Sequence, residues 1–227
     1  MARNTLISHM QQIKDELLLM GSLVEIATVK SIDALRRRDA NSARLIYLND
    51  QIVNKKRYEI ENNVLILIAT QQPMARDLRR LAAMLEIASE LERMGDYAKG
   101  ICKVILNLGD ADIPIPILDI EQMAQAAVEM LHQALTAFLD EDAEAARSIP
   151  RLDDTVDELF TKVEHFIIQT MVTQPEIIDH ANLLMWVAHN IERMADRVTN
   201  ICERTLFVVT GELIELEVKP DNLTESE

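Results

Sequence analysis

Apolar residues along positions 87–105 recur in steps of four and three: Ile87, Leu91, Met94, Ala98, Ile101 and Ile105. That period lays them on one stripe of an α-helix, with charged side chains opposite. One hundred residues later the same steps return as Val187, Ile191, Met194, Val198, Ile201 and Thr205. The surrounding text repeats as well, ELERMGDYAKGIC at 90–102 against NIERMADRVTNIC at 190–202. Two more landmarks keep the same order. Asp39, Ala40, Ala43, Arg44, Asp50 and Val53 answer Asp142, Ala143, Ala146, Arg147, Asp153 and Val156, and Gln72-Pro73 answers Gln174-Pro175. Self-similarity in three ordered places marks a duplicated unit.

Each copy predicts three helices, over 5–38, 41–71 and 74–108 and then over 117–140, 143–173 and 176–210. Pro73 and Pro175 fall where proline suits the first turn of a new helix. Polar breaks at 39–41 and 140–142 separate the first and second helices of each copy. The segment GDADIPIP at 109–116 is the Pro/Gly-rich linker, and it sets a first domain at 1–110 and a second at 111–227. The second domain ends in a short polar tail, expected to be frayed. The expected fold is all-α, two tandem, quasi-equivalent antiparallel three-helix bundles.

Composition agrees: five Gly, six Pro and 4% aromatic residues favour long helices over sheets. The formal net charge of −15 excludes nucleic acid and anionic lipid as natural partners and favours basic protein patches or cations. Basic runs at Arg36, Arg37 and Arg38, and at Arg76, Arg79 and Arg80, read as solvated helix faces. The N-terminus carries no secretory signal and the longest apolar run, 64–69, is far too short to span a bilayer. A cytoplasmic protein without membrane insertion is expected. Cys102 and Cys202 form no CxxC and read as buried free thiols.

The chemistry lies in the carboxylates. Glu92 and Asp96, Glu192 and Asp196, and Asp153 and Asp157 are each four apart, hence on one helix face, where like charges repel. If each hairpin reverses at its Gln-Pro, Asp50 falls level with 95 and Asn54 with 91. Asp153 then falls level with 195 and Asp157 with 191. Each hairpin thus sets Asp-x-x-x-Asn/Asp beside Glu-x-x-x-Asp, with Ala88, Gly95, Ala188 and Ala195 as small residues at the join. Converging oxygen ligands suit iron, manganese, magnesium, calcium or zinc. The alternative is that Arg93, Arg193, Lys99, Lys103 and Arg197 balance these acids in ordinary salt bridges. Glu129 and His132 make a lone Glu-x-x-His, where a di-iron carboxylate site needs two. His189 stands three before Glu192. No nucleophile elbow or phosphate loop is present, and no enzyme activity is expected. The rivals considered are a ferritin-like metal oxidase and a metal-free helical scaffold.

QQPMARDLRR at 71–80, ELERMGD at 90–96 and NIERMADRVTNICE at 190–203 resemble PhoU proteins, and the resemblance runs from about Met10 to Gly211. It implies two similar three-helix bundles, commonly assembled as homodimers. It further implies a negative regulator of the phosphate-starvation response, linking the ATPase subunit of a phosphate ABC transporter to a sensor histidine kinase. Some members bind multinuclear iron or zinc through Glu/Asp-x-x-x-Asp motifs. Carried onto this chain, those positions are Asp50, Glu92, Asp96, Asp153, Asp157, Glu192 and Asp196. Asn54 departs from the pattern and leaves the first-half set one acid short.

Overall fold

The computed structural model describes residues 2–109 and 111–216. Its helices are α1 (Ala2–Arg37), α2 (Ala40–Gln71), α3 (Arg76–Leu108), α4 (Ile117–Asp140), α5 (Ala143–Ser148), α6 (Asp153–Thr173) and α7 (Ile178–Thr210). The polar tail expected after about 216 lies outside the described residues.

The duplicated polar breaks work as stop-and-start devices. Arg38 and Glu141 both adopt left-handed backbone, each at φ 54°. The next residues, Asp39 and Asp142, then accept hydrogen bonds from the backbone N–H groups of Asn41 and Ser42, and of Glu144 and Ala145. Such caps contribute about 1 kcal/mol each by satisfying orphan donors.

Two helix boundaries differ from the sequence expectation. The stretch 143–173 is not one helix: it splits into α5, a 3-10 turn Ile149–Leu152 and α6. Pro150 is the cause, since it lacks the N–H of an α-helical ladder and its ring crowds the preceding turn. Pro73 also does not open a helix. It is buried in a turn, with Gln72 and Ala75 at φ 46° and 48°, and α3 begins at Arg76. Pro175 does open a 3-10 turn, Pro175–Ile177, that leads into α7.

Helices α1, α2 and α3 pack together, as do α4, α6 and α7 with α5 beside them. Both predicted stripes are buried. The bundles are fused rather than merely strung together, because the most extensive helix contact is between α3 and α7, and α1 packs along α4. One apolar core therefore runs through both halves. The Thr28 hydroxyl, buried on α1, reaches Met194 Sδ on α7 at 3.3 Å.

Fusion also changes the reading of the basic runs. Arg36 pairs with Glu121 at 3.2 Å. Arg38 donates to the carbonyls of Ala111 and, at 2.8 Å, Ile113. Arg76 and Arg80 both engage Glu141. These arginines tie the first half to the linker and the second half, so they are more than a solvated face. No helix among the described residues is long and apolar enough to cross a membrane.

Candidate functional site

Pro150 positions the second-half acids. By ending α5 it makes Asp153 the first residue of α6, where the helix N-terminus favours negative charge. Asp157 follows one turn later, and α7 brings Glu192 and Asp196 opposite. The four carboxylates line one open cavity of about 430 Å³ together with Thr199, Asn200, Glu203, Glu215 and Leu216. The two acid pairs expected to face each other across the hairpin do share this cavity.

Asp153 is only 3% exposed, yet its Oδ1 has no hydrogen-bond partner, and neither does the buried Glu192 Oε2 or Thr199 Oγ1. Burial, and then the charges of Asp157, Asp196 and Glu192, push the Asp153 carboxyl up to about 7. Burial and Asp196 also raise Asp157. Glu192 is raised by burial and Asp196, against a smaller lowering from Arg193. Among the four carboxylates, basic side chains come within 4 Å of Glu192 and Asp196, and none is described at Asp153 or Asp157. Arg193 lies 3.7 Å from Asp196 and 4.0 Å from Glu192, and His189 lies 3.4 Å from Glu192. Among the described residues, no three His, Cys, Asp or Glu side chains are arranged to hold a metal ion as they stand. The acids share a cavity without meeting at a point.

The first-half set is arranged differently. Asp50, 7% exposed on α2, accepts from Lys99 Nζ at 2.7 Å and from Asn54 Nδ2 at 3.2 Å, both through Oδ2. Lys99 also lies 3.5 Å from Asp96, and its ammonium sits 5.5 Å from the centre of the Tyr47 ring. The hydrogen bond that Lys99 donates to Asp50 raises the lysine's pKa, against the cost of burial. Arg57 holds Glu92 at 3.4 Å and Glu61 at 3.3 Å. The predicted level of Asp50 with position 95 holds: a Cβ on Gly95 would stand 3.4 Å from Asp50 Oδ1.

Of the cations expected to balance the acids, Lys99 and Arg193 do so, whereas Arg197 reaches across the halves to Glu90 at 3.3 Å. Sequence reasoning overlooked Arg57, Thr199, Asn200, Glu203 and Glu215. Thr199, Asn200 and Glu203 were within reach, being three, four and seven residues after Asp196 on one helix face. Glu215 was not, because it arrives on the segment after α7, held by Leu216 N–H donating to Glu203 Oε1 at 2.9 Å. His132 is outside the cavity, 3.4 Å from Glu25 of α1. Cys102 and Cys202 are buried free thiols, as expected, and burial pushes both up to about 12.

Fold and site together define a class: an all-helical, internally duplicated protein of two fused bundles with a carboxylate set at the corresponding place in each half. Comparison with known proteins gives the family. The PhoU domain model matches residues 17–105 and 120–205. A phosphate-specific transport system accessory protein PhoU homolog of Clostridium acetobutylicum is 32% identical over 217 residues, 95% of this chain and 99% of its own length. A homolog from Caulobacter vibrioides is 36% identical over 199 residues, 87% of this chain and 86% of its own. The crystal structure of the phosphate transport system regulatory protein PhoU from Streptococcus pneumoniae superposes with a TM-score of 0.86 at 31% identity, over 93% of this chain and all of that one. PhoU from Pseudomonas aeruginosa gives 0.84 at 26% identity, over 90% and 99%. The chain belongs to the PhoU family.

Proposed function

We propose that this protein is a regulatory accessory component of phosphate transport that acts by binding rather than by turnover. What carries the reading is kinship along nearly the whole chain to proteins named for that role, with both repeats matched. In this reading it works in the cytoplasm as a homodimer. It meets the ATPase subunit of a phosphate ABC transporter and a sensor histidine kinase, and it restrains the phosphate-starvation response. Transport state then biases which complex persists, through differential affinity.

The second-half carboxylates fit a divalent cation, iron or zinc foremost, with manganese, magnesium and calcium as alternatives. The buried, unpartnered Asp153 Oδ1 and the repulsion among four acids support that fit. Asp153, Asp157, Glu192 and Asp196 would hold the ion, and its role there is charge neutralisation and cross-linking of α6 to α7. Without a cation, burial and the neighbouring acids push the Asp153 carboxyl up to about 7. Thr199 and Asn200 supply neutral oxygen atoms beside them.

The regulatory reading is tested in a strain lacking the gene, with a phosphate-starvation reporter. Derepression in phosphate-rich medium, restored to control by the wild-type gene, is expected. Normal control without the gene, and with no second copy in the genome, would overturn it. Oxygen consumption on iron loading of the purified protein would instead indicate an oxidase.

A further inference from the structure

The duplication lets each half serve as the control for the other. Shifting α3 by one hundred residues onto α7 aligns Glu92 with Glu192 and Asp96 with Asp196. Shifting α2 by 103 onto α6 aligns Asp50 with Asp153 and Asn54 with Asp157. The same shifts align Lys99 with Thr199 and Arg57 with Phe160. Thus the first half has three acids against two cations, and the second has four acids against none at those places.

In the first half a cation lies against one oxygen of each acid, although Asp50 Oδ1 and Asn54 Oδ1 stay buried and unpartnered as Asp153 Oδ1 does. Lys99 Nζ is 2.7 Å from Asp50 Oδ2 and 3.5 Å from Asp96 Oδ1, while Arg57 Nη1 is 3.4 Å from Glu92. A metal ion bound to Asp50 Oδ2 would stand about 2.0–2.6 Å from it, in the space the ammonium fills and under its repulsion. The other oxygen, Oδ1, is buried beside Gly95 without a hydrogen-bond partner, so the closure rests on the ammonium at Oδ2. The second half lacks this filling: Asp153 and Asp157 have no ion pair among the described residues, and Thr199 Oγ1 is buried without a partner.

We infer that Lys99, with Arg57, is a tethered counter-cation that closes the first-half site to metal. The chain then takes metal in its second half only, and position 99 decides which half does so. The inference rests on the reading of the second-half acids as a cation site. It goes further by making the first half a latch that stays shut whatever the metal supply. It also assigns a specificity-determining role to a residue outside the carboxylate motifs.

The test is metal content by elemental analysis, after dialysis of untagged full-length protein against excess zinc or manganese(II) and removal of free ion. Asp153→Asn with Glu192→Gln should lose essentially all the metal of the wild type. Asn54→Asp with Lys99→Thr, which installs two of the second-half residues in the first half and leaves Arg57 on Glu92, should about double it. The four changes together should restore a wild-type amount, now held by the first half. Lys99→Gln with Asn54→Asp keeps the side chain's length and replaces the Thr version if that protein unfolds by circular dichroism. Thermal melts give a second readout: added zinc should raise the Tm of the Lys99 variants even in the Asp153→Asn, Glu192→Gln background, and should leave that background alone unmoved. If Asp153→Asn with Glu192→Gln retains about half the metal, and Asp50→Asn removes the rest, the first half binds with Lys99 in place and the inference falls. If the wild type is metal-free and Asn54→Asp with Lys99→Thr gains metal, the closure of the first half by Lys99 stands, while the second-half reading and the assignment of metal to that half fall. Metal in neither protein overturns both.

Discussion

Glu141 and Arg80 form the tie between the halves: Glu141 Oε1 accepts from Arg80 Nε at 2.5 Å, with Arg76 on its other oxygen. Burial works against the ionised carboxyl, but the hydrogen bond and charge of Arg80, reinforced by Arg76, hold its pKa below the ordinary range. Glu141 also sits in left-handed backbone. Glu141→Ala should therefore cost about 2 kcal/mol, the worth of a charge-assisted bond. Glu141→Gly should cost about 1 kcal/mol less, because glycine relieves the positive φ. Urea unfolding measures both, and equal losses would mean the turn carries no strain. Since this carboxyl is depressed on folding, its contribution is present above pH 4.5 and is lost as acid protonates it.

Asp153 gives the opposite pH dependence. Its carboxyl is raised from 3.8 to about 7 on folding, so between those values the folded chain binds more protons than the unfolded one. Stability from this group is full below about pH 4, declines as pH rises and is gone above about 7. Metal-free protein should melt several degrees higher at pH 5 than at pH 8, and Asp153→Asn should lessen that difference. A wild-type Tm that rises steadily from pH 5 to 8, with no change in slope on substitution, would refute it.

Gly21 lets α1 approach α4. A Cβ there would come within 2.3 Å of Leu135 Cδ1, the mobile end of a side chain, so Gly21→Ala should be tolerated after a rotamer change. Gly21→Leu has no such escape and should destabilise by about 1–3 kcal/mol through overpacking. Equilibrium unfolding of the two variants checks the contrast, which disappears if the halves do not share a core.

The two thiols should be inert in the folded state, because burial keeps both protonated. Titration with an aromatic disulfide at pH 8 should label few or none in native protein and both of the two cysteines in denaturant. Rapid labelling of either one without unfolding would contradict the packed α3–α7 seam.

Much of this molecule was legible in the residues because the determining forces are local or periodic. The stripes from Ile87 and Val187, the caps at Asp39 and Asp142 and the duplication itself are set by neighbours a turn or two away. Hairpin arithmetic from Gln72-Pro73 also placed Asp50 opposite Gly95, since two antiparallel helices advance at equal rise. Pro150 was legible in principle, because a proline ring forbids the continuous helix 143–173.

The carboxylate sets show where that legibility stops. Glu92-x-x-x-Asp96 and Glu192-x-x-x-Asp196 look alike as text, and residue spacing alone made them equivalent apart from Asn54. Which cation meets which acid depends on where long, flexible side chains end after packing. Only the tertiary structure put Lys99 on Asp50 and Arg57 on Glu92, and it left Asp153 buried with no counter-cation. It also folded Glu215 back beside Glu203 and fused the two bundles along α3 and α7. The sequence by itself determined the helices, their duplication and the level of the acids, because those follow from period and rise. The three-dimensional fold decided the charge balance of each site, because electrostatics depends on distance in space and on burial, which no local pattern encodes.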